Sequence, residues 1–393
     1  MHKYVLQLEK QLKNILQETE SELFNSVIPF WQKYSIDRQH GGYFNCLDAK
    51  GQVFDTTKYM WLHGRQIWMF SKLYNTIAPE KEWLEIAAHG LDFMNQHALL
   101  ENGRVYFSLN ENGAPVYLQR KIFTECFYAM ALAEYGKAID SEEVIGSSRQ
   151  MFEKVWAFSL DPEMIGRPKF AGEAPLQALA VPMILLNVME EVYGHQDSGE
   201  VVDRARHCID SMKMHFVGGV MHEHVLQGGG LHDSSPGRLV NPGHAIEAGW
   251  FLLHWADLLS DDTLSELAVA IVRSSFNLGW DSEAGGLYYF LDAEERPPLQ
   301  LEWNMKLWWP HSEALYAFLL LYARTKDRRD LNTFLQIREY ILNHFADREF
   351  GEWFGYLNRD GSLSSSLKGG PYKGCFHVPR ALLFCRNLLQ KIS

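Results

Sequence analysis

The sequence predicts an all-α fold: one closed toroid of six α-hairpins, an α/α barrel, with short β-hairpins gathered at one end. Three observations lead there. A glycine-and-aromatic segment recurs six times, an apolar run of helical period follows each copy, and no Pro- or Ser-rich linker interrupts the series. Helices that are apolar nearly all round alternate with helices charged on one face, so no unit can bury its surface alone. Six such units close on one another. Residues 1–393 therefore read as one domain, although 393 residues at about 150 per domain would suggest two or three.

The recurring segments are HGGYFNCLDAKGQVF from His40, NGRVYFSLNENGAPV from Asn102, IGRPKFAGEAP from Ile165, VGGVMHEHVLQGGG from Val217, AGGLYYFLDAEERPP from Ala284 and FGEWFGYLNRDGSLS from Phe350. Several alternate aromatic and polar residues and then place Asp or Asn ahead of Gly, which signals a short hairpin. The third is degenerate and is not expected to form one. Helical period covers 5–34, with apolar residues at i, i+3, i+4 and i+7 and Lys and Glu opposite. It returns over about 60–77, 80–98, 121–138, 141–158, 175–193, 197–215, 243–259, 261–277, 310–326, 328–346 and 377–391, which makes twelve helices in six pairs. Runs 248–255 and 314–322 suit a buried inner ring, and 325–340 suits an outer one.

Composition narrows the ligand. The chain holds 49 acidic and 37 basic residues, a formal charge of −12, which argues against nucleic-acid or anionic-membrane partners and fits a neutral ligand. No run of 18 apolar residues and no hydrophobic leader appear, so neither a membrane span nor a signal peptide is expected. Cys46, Cys126, Cys208, Cys375 and Cys385 are odd in number and scattered, which reads as reduced thiols in a cytoplasmic protein. There is no Walker A sequence, GxGxxG or GxSxG. His222, His224 and His232 lack a completing carboxylate pattern, so no metal is expected. The 13% aromatic content is high enough to be core or the lining of a cleft.

Aligning the inner helices near their starts gives pairs at a spacing of three: Arg65 and Trp68, Glu125 and Tyr128, His244 and Glu247, Pro310 and Glu313, His377 and Arg380. An i, i+3 pair shares a helix face, so the repeats would aim acids, bases and cations into one cavity. Arg65, set among apolar residues, needs either a salt bridge to Glu247 or Glu313 or a ligand. Trp308 and Trp309 could pack in the core or grip the apolar face of a sugar.

The segments KYMWLHGRQIWMF, RLVNPGHAIEAGWFLL, GGLYYFLDAEERPPLQLEWNMKLWWPHSEA and EWFGYLNRDGSLSSSLKGGPYKGCFHVPRAL resemble those of the N-acylglucosamine 2-epimerases, described in mammals also as renin-binding protein. The likeness runs from about His40 to Leu383. It implies the six-hairpin toroid and interconversion of N-acetylglucosamine and N-acetylmannosamine at C2. It also implies His244 and His377 as the acid/base pair, Arg65 as the substrate-site cation, and Glu247 and Glu313 as partners that orient the histidines. Trp61, Glu125, Lys306, Trp308 and Trp309 would contact substrate. The chemistry would need no cofactor. ATP would serve as an activator, although SLDPEMIGRPKFAGEAPLQ, the matching stretch, has no phosphate loop and offers only Arg167 and Lys169 as cations. A homodimer is implied as well.

Removing the C2 proton of an open-chain aldose leaves an enolate-like intermediate, and inversion needs a base on one face and an acid on the other. Two histidines, one neutral and one protonated near pH 7, fit that requirement. Other readings of the same residues are an epimerase of cellobiose, glucose or mannose, an aldose–ketose isomerase, a glycoside hydrolase using paired carboxylates, and a non-catalytic binding protein.

Overall fold

The computed structural model describes residues 2–168, 170–194 and 199–392, with side chains from Leu6 onward. In chain order the helices are α1 (His2–Glu22), α2 (Ile28–Tyr34), α3 (Met60–Thr76), α4 (Lys81–His97), α5 (Phe123–Ala138), α6 (Glu142–Leu160), α7 (Ala180–Tyr193), α8 (Gly199–Met214), the single turn α9 (Ser235–Arg238), α10 (Pro242–Leu259), α11 (Asp262–Gly279), α12 (Trp308–Thr325), α13 (Arg328–His344) and α14 (His377–Ile392). A π-turn over Leu23–Val27 joins α1 and α2 into one long element. The described residues therefore carry the twelve long helices that the periodicity predicts.

Helices α3, α5, α7, α10, α12 and α14 form the inner ring, each packed on the next. Trp68 of α3 meets Phe376, beside the start of α14, and Phe384 within it, with ring centroids at 5.3 and 6.5 Å, which closes the circle. Burial follows from composition. Every residue of α12 from Trp308 to Tyr322 is buried, whereas α13 buries Leu331, Phe334, Ile337 and Ile341 at helical spacing and exposes Arg328, Arg329 and Glu339. Sequence also sets the starts of helices: Ser141, Asn241, Asp261 and Asp327 each accept a backbone N–H from the first turn that follows. No helix of the described residues is long and apolar enough to cross a membrane, and all five cysteines are buried and unpaired.

Three recurring segments make the same hairpin. Cys46–Leu47 pairs with Val53–Asp55, Ser108–Leu109 with Pro115–Tyr117, and Tyr356–Leu357 with Leu363–Ser365, all antiparallel. Asp48, Asn110 and Asn358 open the turns, and Gly51, Gly113 and Gly361 close them at φ 81–86°, where a side chain would be strained. In the fourth segment, Phe216–Val217 pairs with Val220–Met221 across Gly218–Gly219. The other two depart from the hairpin pattern. Leu291–Asp292 pairs with Leu239–Val240. The degenerate third segment contributes Leu176–Ala178 to a ladder with His224–Leu226, so residues 175–179, expected to begin a helix, are not helical and α7 starts at Ala180. The partner strand accounts for this shift, because pairing with it holds the backbone extended.

Candidate active site

Both histidines start inner helices, and each is held by a carboxylate. His377, the first residue of α14, places Nδ1 2.7 Å from Glu313 Oε1 of α12. His244, in the first turn of α10, places Nδ1 3.0 and 3.1 Å from the two oxygens of Glu223. An ionised carboxylate only accepts, so a proton on Nδ1 of each imidazole completes these contacts and leaves Nε2 outside them. The Trp309 ring lies against both, with centroids 5.0 Å from His244 and 5.9 Å from His377. Gly243 permits this approach, because a Cβ there would stand 2.8 Å from the Trp309 ring.

The two environments drive the imidazoles apart. Burial lowers the pKa of His377, the Arg380 charge lowers it further, and Arg65 and His244 act in the same direction against Glu247, so it lies well below the ordinary histidine value. Burial also acts on His244, but the charge of Glu223, its hydrogen bond and the charge of Glu247 outweigh it and raise the pKa. The two imidazoles are thus pushed in opposite directions, His377 toward the neutral form and His244 toward the protonated form.

Arg380 bridges two carboxylates, at 2.7 Å from Glu247 and 2.8 Å from Glu313. Ligand atoms of Glu247, Glu313 and His377 lie within 4.8 Å of one another, but the Arg380 guanidinium already supplies the positive charge between them. Arg65 is held differently. Its guanidinium carbon stands 3.9 Å from the Phe127 centroid, 4.5 Å from Trp61 and 5.4 Å from Phe376. No carboxylate of the described residues is within ion-pair distance of it, and buried Nε has no partner. Of the two readings of Arg65, the salt bridge to Glu247 or Glu313 does not form, which leaves its donors for a ligand.

Other expectations are revised. Glu247 does not orient His244; one turn along α10 it reaches Arg380 on the neighbouring inner helix. Glu125 lies outside the cavity, fully buried, and accepts from Arg104 Nε at 2.6 Å and the Val105 N–H at 2.9 Å, tying the second hairpin to α5. Lys306 is also fully buried, bound to Asp281 at 3.1 Å and to the Gly286 carbonyl. Trp308 packs under the last hairpin against Tyr356. Trp61 donates to the Pro371 carbonyl and borders Arg65. Of the five expected substrate contacts, only Trp309 touches the histidines and only Trp61 touches Arg65.

Residues 42–381 match the profile of the N-acylglucosamine 2-epimerase (GlcNAc 2-epimerase) family. The chain belongs to that family. It is 41% identical over 397 residues to the N-acylglucosamine 2-epimerase of Rattus norvegicus, spanning 98% of this chain and 94% of the relative. To the cellobiose 2-epimerase of Ruminococcus albus it is 25% identical, over 93% and 97% of the two chains. The solved cellobiose 2-epimerase of Spirochaeta thermophila shares the fold, with a TM-score of 0.84 at 23% identity over 98% and 99% of the chains.

Two residues of this family member escaped sequence reasoning. Glu223 stands in the bend between Val220–Met221 and His224–Leu226, 21 residues before the histidine it serves, and the alternation of HEH was its only local trace. Arg380 stood in the i, i+3 alignment, but nothing local says that it bridges two glutamates. Arg167 pairs with Glu173 at the surface at 3.1 Å, and Lys169 lies outside the described residues.

Proposed function

We propose that this protein interconverts N-acetylglucosamine and N-acetylmannosamine by moving the C2 proton between His377 and His244. The observation that carries the reading is the pair of carboxylate-bound imidazoles with opposed basicities around one aromatic ring. The neutral His377 takes the C2 proton at Nε2, and the C–H electrons pass toward C1 so that charge gathers on O1. Arg65, free of carboxylate pairing, stabilises that oxygen. The His244 imidazolium then returns a proton to C2 from the other face. The opposite epimer reacts with the protonation states exchanged. One C–H bond breaks and one forms, so neither a redox cofactor nor a phosphate donor is called for.

The N-acetyl sugar is favoured over cellobiose by 41% against 25% identity to relatives bearing those names. A glycosidase would need two carboxyl groups flanking the scissile bond. Here Glu223 is committed to His244, Glu247 to Arg380, and Glu313 to His377 and Arg380. The test is incubation with N-acetylglucosamine, N-acetylmannosamine, cellobiose, glucose and mannose in heavy water, with and without ATP, followed by NMR. Deuterium at C2 of the epimeric N-acetyl sugar is expected. Deuterium at C1 of a ketose would make the protein an isomerase, and no exchange on any sugar would refute the reading.

A further inference from the structure

Beneath the acid–base pair lies a buried polar layer that the proton transfers do not use. Trp250 of α10, 1% exposed, donates from Nε1 to Glu313 Oε2 at 3.0 Å. Glu313 Oε1 faces His377 Nδ1 at 2.7 Å and Arg380 at 2.8 Å, so each oxygen has its own donors. The Trp250 ring is fixed in turn, with its centroid 5.0 Å from His254 and 5.2 Å from Tyr316. His254 cannot swing, because Nδ1 is 2.8 Å from Glu190 and Nε2 is 2.7 Å from the Tyr316 hydroxyl.

We propose that Trp250 is a positioning residue for the epimerisation: its indole N–H, braced by His254 and Tyr316, orients Glu313 so that the His377 proton stays on Nδ1 and Nε2 stays open to substrate. This rests on the epimerase reading above. A carboxylate without the Trp250 donor could turn and share its oxygens differently between Arg380 and His377. Trp250 carries no charge, so it acts by geometry among the charged and titratable groups that face His377, namely Glu313, Arg380, Glu247, Arg65 and His244. Its burial keeps it out of reach of the sugar.

The test compares the full-length protein with Trp250→Phe, Glu313→Gln and the double variant. It measures kcat and KM for C2 exchange of N-acetylglucosamine in heavy water, and the NMR titration of the His377 ring. Loss of a hydrogen bond to a charged group predicts about a tenfold fall in kcat for Trp250→Phe, with KM within about twofold and a displaced His377 titration. On top of Glu313→Gln, Trp250→Phe should cost far less than in the native background, because the amide at position 313 has lost the charge through which Trp250 acts. An equal loss in both backgrounds, or an unmoved His377 titration, would overturn the proposal. Failure of the unmodified protein to exchange C2 would instead strike the epimerase reading, while the His377 titration would still test the positioning. If Trp250→Phe does not fold, benzothienylalanine at position 250 keeps the ring and removes the N–H, and the same comparison decides.

Discussion

Glu223→Gln separates the two histidines most directly. The change keeps the side-chain shape and removes the charge that holds His244 Nδ1 at 3.0 Å. Burial, which lowers the His244 pKa, then acts without its main opponent. A hydrogen bond to a charged group contributes about 1.5–3 kcal/mol. His244 keeps 29% of its side-chain surface exposed, so the lower end applies, about 1.5 kcal/mol, or roughly a tenfold fall in kcat near neutral pH. The assay is the pH dependence of kcat/KM for epimerisation, read with the NMR titration of the His244 ring. Its alkaline limb reports loss of the acid proton and should move to lower pH. The acid limb, set by His377, should stay in place. An unmoved alkaline limb, or movement of the acid limb instead, would refute the assignment of acid and base.

Other outcomes follow from the same geometry. His377→Ala should abolish deuterium entry at C2 while circular dichroism and melting are retained, and substantial residual exchange would sink the mechanism. Lys306→Met should cost about 1.5 kcal/mol of stability in urea unfolding, the loss of one hydrogen bond to a charged group, because Asp281 keeps Arg359 at 2.8 Å; the KM for sugar should stay unchanged, because Lys306 braces a loop. His63 and His311 each accept a backbone N–H at Nε2, from Tyr43 and Leu287, and burial lowers both pKa values to about 3. The unfolded chain takes up these protons from about pH 6.5 downward and the folded one does not. Stability should therefore fall as pH drops below that value, by about 2 kcal/mol for each histidine at pH 5. Urea unfolding at pH 7 and pH 5 reads this directly, and a pH-independent midpoint would contradict it.

What could be read from the sequence was whatever repeats. The periodicity gave the helix pairs, and their shared frame put His244 and His377 in equivalent places. Residues whose meaning depends on closing the ring stayed hidden. Glu247 stands one turn from His244, and local spacing assigns it there, yet its carboxylate reaches across to Arg380 on α14. Lys306 sits among tryptophans and invites a sugar-binding reading, but its partner Asp281 is 25 residues away. A trace of that role was available in the repeats: Lys58 binds Asp37 at 2.7 Å and Lys368 binds Asp347 at 2.9 Å, each below a glycine loop. Three buried lysines at matching places mark a scaffold feature rather than a ligand contact.

The third repeat, which gave up its own hairpin, has a bearing on how this site can be altered. Its strand Leu176–Ala178 is laced to His224–Leu226, and the next residue, Leu179, donates its N–H to the Glu223 carbonyl at 2.9 Å. Glu223 is thus moored to that repeat on one side and, through its own N–H, to Leu239 on the other. His377 takes its support from α12 and α10 instead. The carboxylates that hold the two histidines stand on separate elements, Glu223 beside the third repeat and Glu313 on α12. Edits to the loop before Leu176 would reach Glu223 and His244 first, so the pH dependence set by His244 could be retuned from a surface segment, leaving the barrel wall untouched.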